Sequence, residues 1–433
     1  MGAGLAAAAP GTPPLVFDLT SGGVWLTSES AGTVTHLQST TGRADAAVTV
    51  PGAVGHRLSV LRNGPDLLVC DADAGLLHLI EPQRLAPART ATLRPGTTVT
   101  AANGVVYAVD GASGRVQRLD GRLLTGLGPV VDLGGALGAV AQSVDGTLWA
   151  PVRTSGSVVM IRDGVASPPI PVARPDHQID VVLAHDHPVV VDGTTGTAIP
   201  ITGDRPGQQT ALPVTLTTAS TGPPVAVIAA AAVERSTVPV LDTVAGRLLL
   251  ADVHGGEVTV HDLPTRPGGG RVQLGEGTAR PGGGPAQPGG GPARPGGGDD
   301  SVSTDPAAAS AAAAGLPDIE RPAGGDEDGG PPAPRRLGPP TWHDGAVYIP
   351  DQDARMVWVF DTRTGGFTAP IVVPGIPPGP GTGAARITVT AEGDQVWVND
   401  PAGPDAVLID GARRATVAKR PSGLPGQTGT TPA

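Results

Sequence analysis

Short apolar runs recur along the whole chain, each closed by a polar residue and a glycine and followed by another apolar run. Eight copies stand out. They lie at 24–28 before Gly32, 67–71 before Gly75, 106–110 before Gly114 and 148–152 before Gly156. The others lie at 189–192 before Gly196, 248–252 before Gly256, 347–351 before Arg355 and 396–400 before Gly403. With Trp25, Leu68, Tyr107, Trp149, Val189, Leu249, Tyr348 and Trp397 as equivalents, the spacings are 43, 39, 42, 40, 60, 99 and 49 residues. A period of ~40–45 residues is that of a four-stranded propeller blade. The two long intervals contain insertions.

Each unit reads as four short strands. In the second, 57–61 precedes a turn at Asn63-Gly64-Pro65, 66–70 follows, Gly75 ends the next turn, and 76–80 and 89–93 complete the sheet. The turn residues punctuate the runs where hairpins need them. Alternation within the runs is weak, as expected for strands buried on both faces. Outside the insertion no helical period is sustained. The fold expected is all-β: a single β-propeller of four-stranded antiparallel blades. Eight blades are counted, or seven if the first or fifth unit lends strands to a neighbour. A closed ring leaves no open sheet edge.

The position opening the turn is Asp in six copies: Asp71, Asp110, Asp192, Asp252, Asp351 and Asp400. A carboxylate there accepts turn N–H groups for about 1 kcal/mol each. Every blade needs that turn, so the six acids are read as structural and not as a metal ring. Gly four residues later suits a positive φ, and Gly114→Val would cost ~1–2 kcal/mol if its φ is positive. Arg355 replaces that glycine in its copy, and a turn of different shape is expected there. Polar residues at the end of the third strand, Asp120, Asp262, Asp361 and Asp410 among them, mark turns at the opposite end of the blade.

Residues 266–338 break the repeat. Pro-Gly-Gly-Gly occurs four times, followed by an acidic patch and an alanine run, and large apolar residues are too few to offset chain entropy. The domain map is therefore a disordered start at 1–12, a propeller over 13–415 interrupted by a disordered 266–338, and a disordered tail at 416–433. The start, Met1 to Pro10, reads either as the end of a signal or anchor whose charged beginning is missing, or as an ordinary disordered terminus.

Composition narrows the function classes. The net charge is −11, and one lysine, Lys419, stands among 29 basic residues. No basic cluster interleaves with aromatics, so nucleic acid is not expected as a partner. The single cysteine, Cys70, excludes an internal disulfide and reads as an inert strand thiol. No apolar run is long enough for a transmembrane helix. Nucleophile elbow, HExxH, P-loop, EF-hand and paired-cysteine motifs are absent. Gly379-Pro380-Gly381-Thr382-Gly383 has no following helix and reads as a linker between blades.

Two groups of residues are candidates for function. Glu29, Asp73, Arg153, His254, Asp353 and Arg355 sit on the strand-pair turns and differ from blade to blade, as recognition residues on a rigid scaffold do. His185-Asp186-His187 falls on a turn between strands. Its two histidines form an incomplete ligand set, needing further groups from elsewhere to hold a metal. No cofactor is expected.

The units at 106–116 and 347–351 resemble YVTN/NHL-type β-propeller repeats. The layout is similar to uncharacterised high-GC bacterial propeller proteins, some carrying a membrane anchor before the propeller and a fibronectin type III module after it. The resemblance spans residues 15–415 apart from the insertion; no anchor or fibronectin module is seen in this chain. It implies an extracytoplasmic or cell-envelope location and says nothing of activity.

The function expected is a non-catalytic binding or interaction scaffold, a monomer presenting loops to a protein or glycan partner. The alternative is a metal-dependent enzyme of lyase or gluconolactonase-like type, for which Glu234 and Asn399 are candidates by residue type only. A quinone dehydrogenase would carry tryptophan docking signatures in each blade, which the sequence lacks. Because loop closure entropy grows only logarithmically with length, deleting 266–338 should leave the thermal midpoint within a few degrees in a melting experiment. A collapse of stability would place the segment in the core.

Overall fold

The computed structural model describes residues 22–81, 84–215, 227–229, 236–265, 335–375 and 386–420. They form eight antiparallel sheets, the eight four-stranded blades of one β-propeller. Blades 1 to 8 occupy 23–49, 58–92, 98–132, 141–171, 179–211, 227–262, 341–372 and 388–418. Blade 1 shows three strands among the described residues, and in blades 4, 5 and 7 the outer strand is split into two short pieces. No helix among the described residues is long and apolar enough to cross a membrane.

The packing explains the weak alternation of the apolar runs. Successive residues of a strand point to opposite faces, and here each face meets a different neighbour. Leu67 and Val69 pack toward blade 1, with Trp25, Val34 and Val48. Leu68 and Cys70 pack toward blade 3, with Val106 and Ala108. Burial pushes the Cys70 thiol up to about 11, so it is inert. The same division repeats around the molecule, giving eight apolar layers, each between consecutive blades. The eighth seats Trp397 and Leu408 of blade 8 on Val24, Leu26 and Leu37 of blade 1, which closes the ring.

That closing layer, with seven buried residues, is the smallest of the eight. Polar bonds supplement it. The ammonium of Lys419 has no exposed surface. It donates to the carbonyl oxygens of Thr27 (3.1 Å) and Asp400 (2.7 Å) and to Asn399 Oδ1 (2.7 Å). Asn399 Nδ2 in turn donates to the Thr27 carbonyl and hydroxyl oxygens. An ammonium has three donors, and all three are used. The last strand, Arg413–Ala418, runs past residue 415, where the tail was expected to begin, and it delivers Lys419 to this position.

Five of the six aspartates cap the turn after the second strand. Asp71 Oδ1 accepts the amides of Asp73 and Ala74, Asp192 Oδ1 those of Thr194 and Thr195, and Asp400 Oδ1 that of Ala402. Asp110 and Asp351 accept from Ser113 and Ala354. The second oxygen reaches elsewhere: Asp71 to His56 Nδ1 at 2.8 Å and Asp192 to His177 Nδ1 at 2.7 Å. The bond to Asp71 holds the His56 pKa above its ordinary value. Gly114 has φ +75°, and a Cβ there would also collide with the Gly135 carbonyl oxygen. Valine at 114 therefore costs more than the conformational penalty alone.

Blade 6 corrects the alignment of the repeat. Its second strand is Thr237–Asp242, not 248–252, and Asp242 is the turn acid, accepting the amides of Val244 and Ala245 before Gly246. Arg247–Asp252 is the third strand. Asp252 still caps a turn, taking the His254 and Gly255 amides, but at the opposite end of the blade, in the place assigned to Asp262. The true second strand is passed over in the repeat because 247–252 before Gly256 repeats the pattern of 237–242 before Gly246, an apolar run, an aspartate and a glycine four residues later. Pro239 stands within it as Pro151 and Pro350 do in the second strands of blades 4 and 7.

Most of the expected insertion, 266–334, lies outside the described residues, as do residues 1–12, the 379–383 linker and 421–433. Arg335–Gly338 belong to the fold: Leu337 is buried and bridges to Asp351, so a deletion expected to leave stability unchanged has to stop at 334.

Burial pulls the Lys419 ammonium down to about 8. An unfolded lysine titrates near ~10.4, so between the two values the unfolded chain holds a proton that the native state has released. Stability from this residue should therefore rise with pH from about 8 to 10.4, by about 3 kcal/mol at most. Urea unfolding of wild type and Lys419→Met across that range should show the extra slope in the wild type only. Equal slopes would contradict the account.

Candidate functional site

The second-to-third-strand turns of all blades share one face with the beginnings of the first strands. On this face the expected rim residues are largely paired. Asp73 accepts the Arg57 amide and pairs with its guanidinium at 2.5 Å, which holds the Asp73 carboxyl below the usual range. Asp353 does the same for Arg336, at 2.6 Å. Arg153 of blade 4 pairs with Asp180 of blade 5 at 2.8 Å. Glu29 of blade 1 is half-buried and accepts the Leu58 amide of blade 2 at 3.3 Å; burial raises its pKa.

Arg355 is the clearest departure from expectation. The turn keeps its shape: Arg355 has φ +50°, in the left-handed region where Gly75, Gly156 and Gly196 sit in their blades. The side chain is buried, pairs with Asp400 of blade 8 at 2.5 Å and donates to the Pro374 carbonyl at 3.1 Å. An interblade ion pair offsets the strained backbone. Arg355 is thus a structural residue and not an exposed rim group.

The opposite face carries the first-to-second and third-to-outer turns. Of five clefts lined by described residues, four open here, between blades 4 and 6, 6 and 7, 7 and 8, and 8 and 1. The fifth lies on the other side of the ring, beside Trp25, Glu29 and Arg57. The cleft over blades 4–6 measures about 570 Å³ and brings together residues that the sequence kept apart. Its floor is Trp149, Met160, Pro188, Pro200 and Ile201, and its polar edge is Asp145, Arg162, Asp186, His187 and His254.

His254 reaches this cleft because blade 6 is aligned one strand differently from the expected repeat, which moves it off the face of the other rim candidates. His185 and Asp186, at φ +47° and +63°, form the two-residue turn that presents His187. Asp186 is occupied with the Val144 amide at 2.9 Å. Arg162 is steadied by Thr147 Oγ1 at 3.1 Å and Asp145 at 3.4 Å. The Trp149 indole N–H donates to Ser143 Oγ at 3.1 Å. His187 and His254 stay exposed, and no group of three His, Cys, Asp or Glu side chains placed to hold a metal occurs among the described residues.

Asn399, a candidate for the enzyme alternative, is committed to the ring closure. Glu234 lies outside the described residues. The cleft is apolar below and mixed in charge above, suited to holding a partner's side chain or a small amphipathic group. Sequence reasoning missed Asp145, Trp149 and Arg162 as neighbours of the histidines. They fall on the first-to-second and third-to-outer turns, and the repeat drew attention to the other end.

Neither a family model nor a curated protein matches the sequence. Solved structures share the fold. Apo AztD from Citrobacter koseri is 12% identical with a TM-score of 0.53, the match covering 93% of this chain and 95% of that one. Dihydro-heme d1 dehydrogenase NirN in complex with DHE is 15% identical at 0.50, covering 91% and 70%. A catalytically inactive virginiamycin B lyase from Staphylococcus aureus with quinupristin is 9% identical at 0.50, covering 88% and 95%. Identity this low carries the fold alone.

Arg355→Gly tests the reading of the rim. Glycine would relieve about 1 kcal/mol of left-handed strain, but it leaves the buried Asp400 carboxylate without its cation, a loss of about 3–5 kcal/mol. The ion pair should win, lowering stability by about 2–4 kcal/mol in denaturant unfolding. A neutral or stabilising result would contradict the structural role.

Proposed function

We propose that the protein is a non-catalytic interaction scaffold that engages a protein or glycan partner through the face bearing the interblade clefts. One observation carries the reading. The cleft over blades 4–6 sets the exposed His187 and His254, beside Arg162 and Asp145, above an apolar floor. Exposed polar groups over an apolar pocket on a rigid ring suit a binding surface. Fold alone does not fix function. Location at the cell envelope is supported by the resemblance to high-GC bacterial propellers.

The metal-dependent enzyme alternative gains no comparable support, since its two named candidates are in the closure or outside the described residues. The scaffold reading is tested by crosslinking in envelope fractions of the source cells, comparing wild type with two variants. Arg162→Glu combined with His187→Ala and His254→Ala should lose the main crosslinked product. Arg174→Glu, an exposed change on the opposite face, should retain it. Equal retention by both would contradict the assignment of the face.

A further inference from the structure

Two tyrosines occupy the anchor position of the repeat, and only one is satisfied within the fold. Tyr107 is fully buried between blades 3 and 4, and its hydroxyl oxygen accepts the Gly164 amide of the neighbouring blade's turn at 3.3 Å. Tyr348 stands at the same place in blade 7 and is only 9% exposed. Its ring packs with Val359, Ile371 and Ile409. Its hydroxyl makes no hydrogen bond, and burial raises its pKa. The ring is buried while the hydroxyl opens to solvent. Tyr348 lines a cleft of about 830 Å³ between blades 7 and 8.

The cleft's other polar groups balance in charge. Asp344, on the first-to-second turn, is exposed and unpaired. Asp361 uses one oxygen on the Arg363 and Thr364 amides and has its second 3.5 Å from the Arg363 guanidinium. The Arg363 side chain is 87% exposed. Arg414 is fixed across the cleft by the Pro370 and Ala369 carbonyls, at 3.3 and 3.2 Å, which leaves further guanidinium N–H groups unused. Two acids and two guanidinium groups sum to zero, which disfavours an ion as occupant. Carboxylates that accept, guanidinium groups that donate and a phenol that does either together suit a ligand dense in hydroxyls. The apolar wall of Val359, Ile371 and Ile409 suits the C–H face of a sugar ring.

We propose that the cleft between blades 7 and 8 binds a neutral saccharide of two or three units, with the Tyr348 hydroxyl bonded to it. The volume lies within the usual range for small-ligand sites. The site deepens the scaffold reading by giving its glycan class a place. It shares no residue with the groove over blades 4–6, so either can fail alone.

The test is calorimetric titration of the full chain with maltotriose, cellotriose, laminaritriose and chitotriose, and with polygalacturonate as a charged control. At least one neutral sugar should bind. Tyr348→Phe keeps the ring and its packing, so it should melt near the wild type while binding about fivefold more weakly, the loss of one neutral hydrogen bond. Tyr107→Phe, whose hydroxyl bond is internal, should leave binding unchanged. No binding of any neutral trisaccharide at about 10 mM, preference for polygalacturonate, or equal affinity in Tyr348→Phe would each overturn the proposal.

Discussion

The structure depends on the contact between its first and last blades. Seven of the eight apolar layers lie between blades adjacent in sequence, but the eighth joins segments separated by most of the chain. It is also the thinnest layer, so closure is where the ring is most easily opened. Lys419 meets that weakness by placing a buried ammonium among three oxygens of both blades. A charge without exposed surface is costly unless every donor is used. Here every donor is used, and the same atoms that satisfy the lysine tie blade 8 to blade 1.

Once closed, the ring presents two different faces. On one, Arg57–Asp73 and Arg336–Asp353 fasten turns within a blade, while Arg153–Asp180 and Arg355–Asp400 fasten one blade to the next. Groups so used are poor recognition elements, because a partner must first break the pair. On the other face the turns stand apart and clefts open between blades. A phenol that opens into a cleft without a protein partner and two exposed histidines lie on this face. The proposed recognition face is this one.

Much of this was legible in the sequence. The eight-fold repeat, the turn acids and the anchor residues follow from periodicity and turn chemistry, which act over a few residues. Blade 6 was misaligned by one strand because its second and third strands carry the same local pattern, an apolar run, an aspartate and a glycine four residues later. Arg355 was read as a change of turn shape because a left-handed arginine is costly in isolation. Its compensation comes from Asp400, in another blade. Nothing local to Lys419 shows that Thr27 lies beside it. His187 and His254 meet for the same reason: the ring, not the spacing, brings them into one cleft. Short-range order was readable, and contacts between blades were not.

The most direct test of closure as the keystone is native-state hydrogen exchange on wild type and Lys419→Met. If the ring opens as a unit, amides of strand His187–Asp192, far from the closure, should lose protection in the variant together with those of Gly23–Ser28 and Asp405–Asp410. Unchanged protection in His187–Asp192, with loss confined to strand Arg413–Ala418, would show that Lys419 only holds down the last strand and would contradict the account.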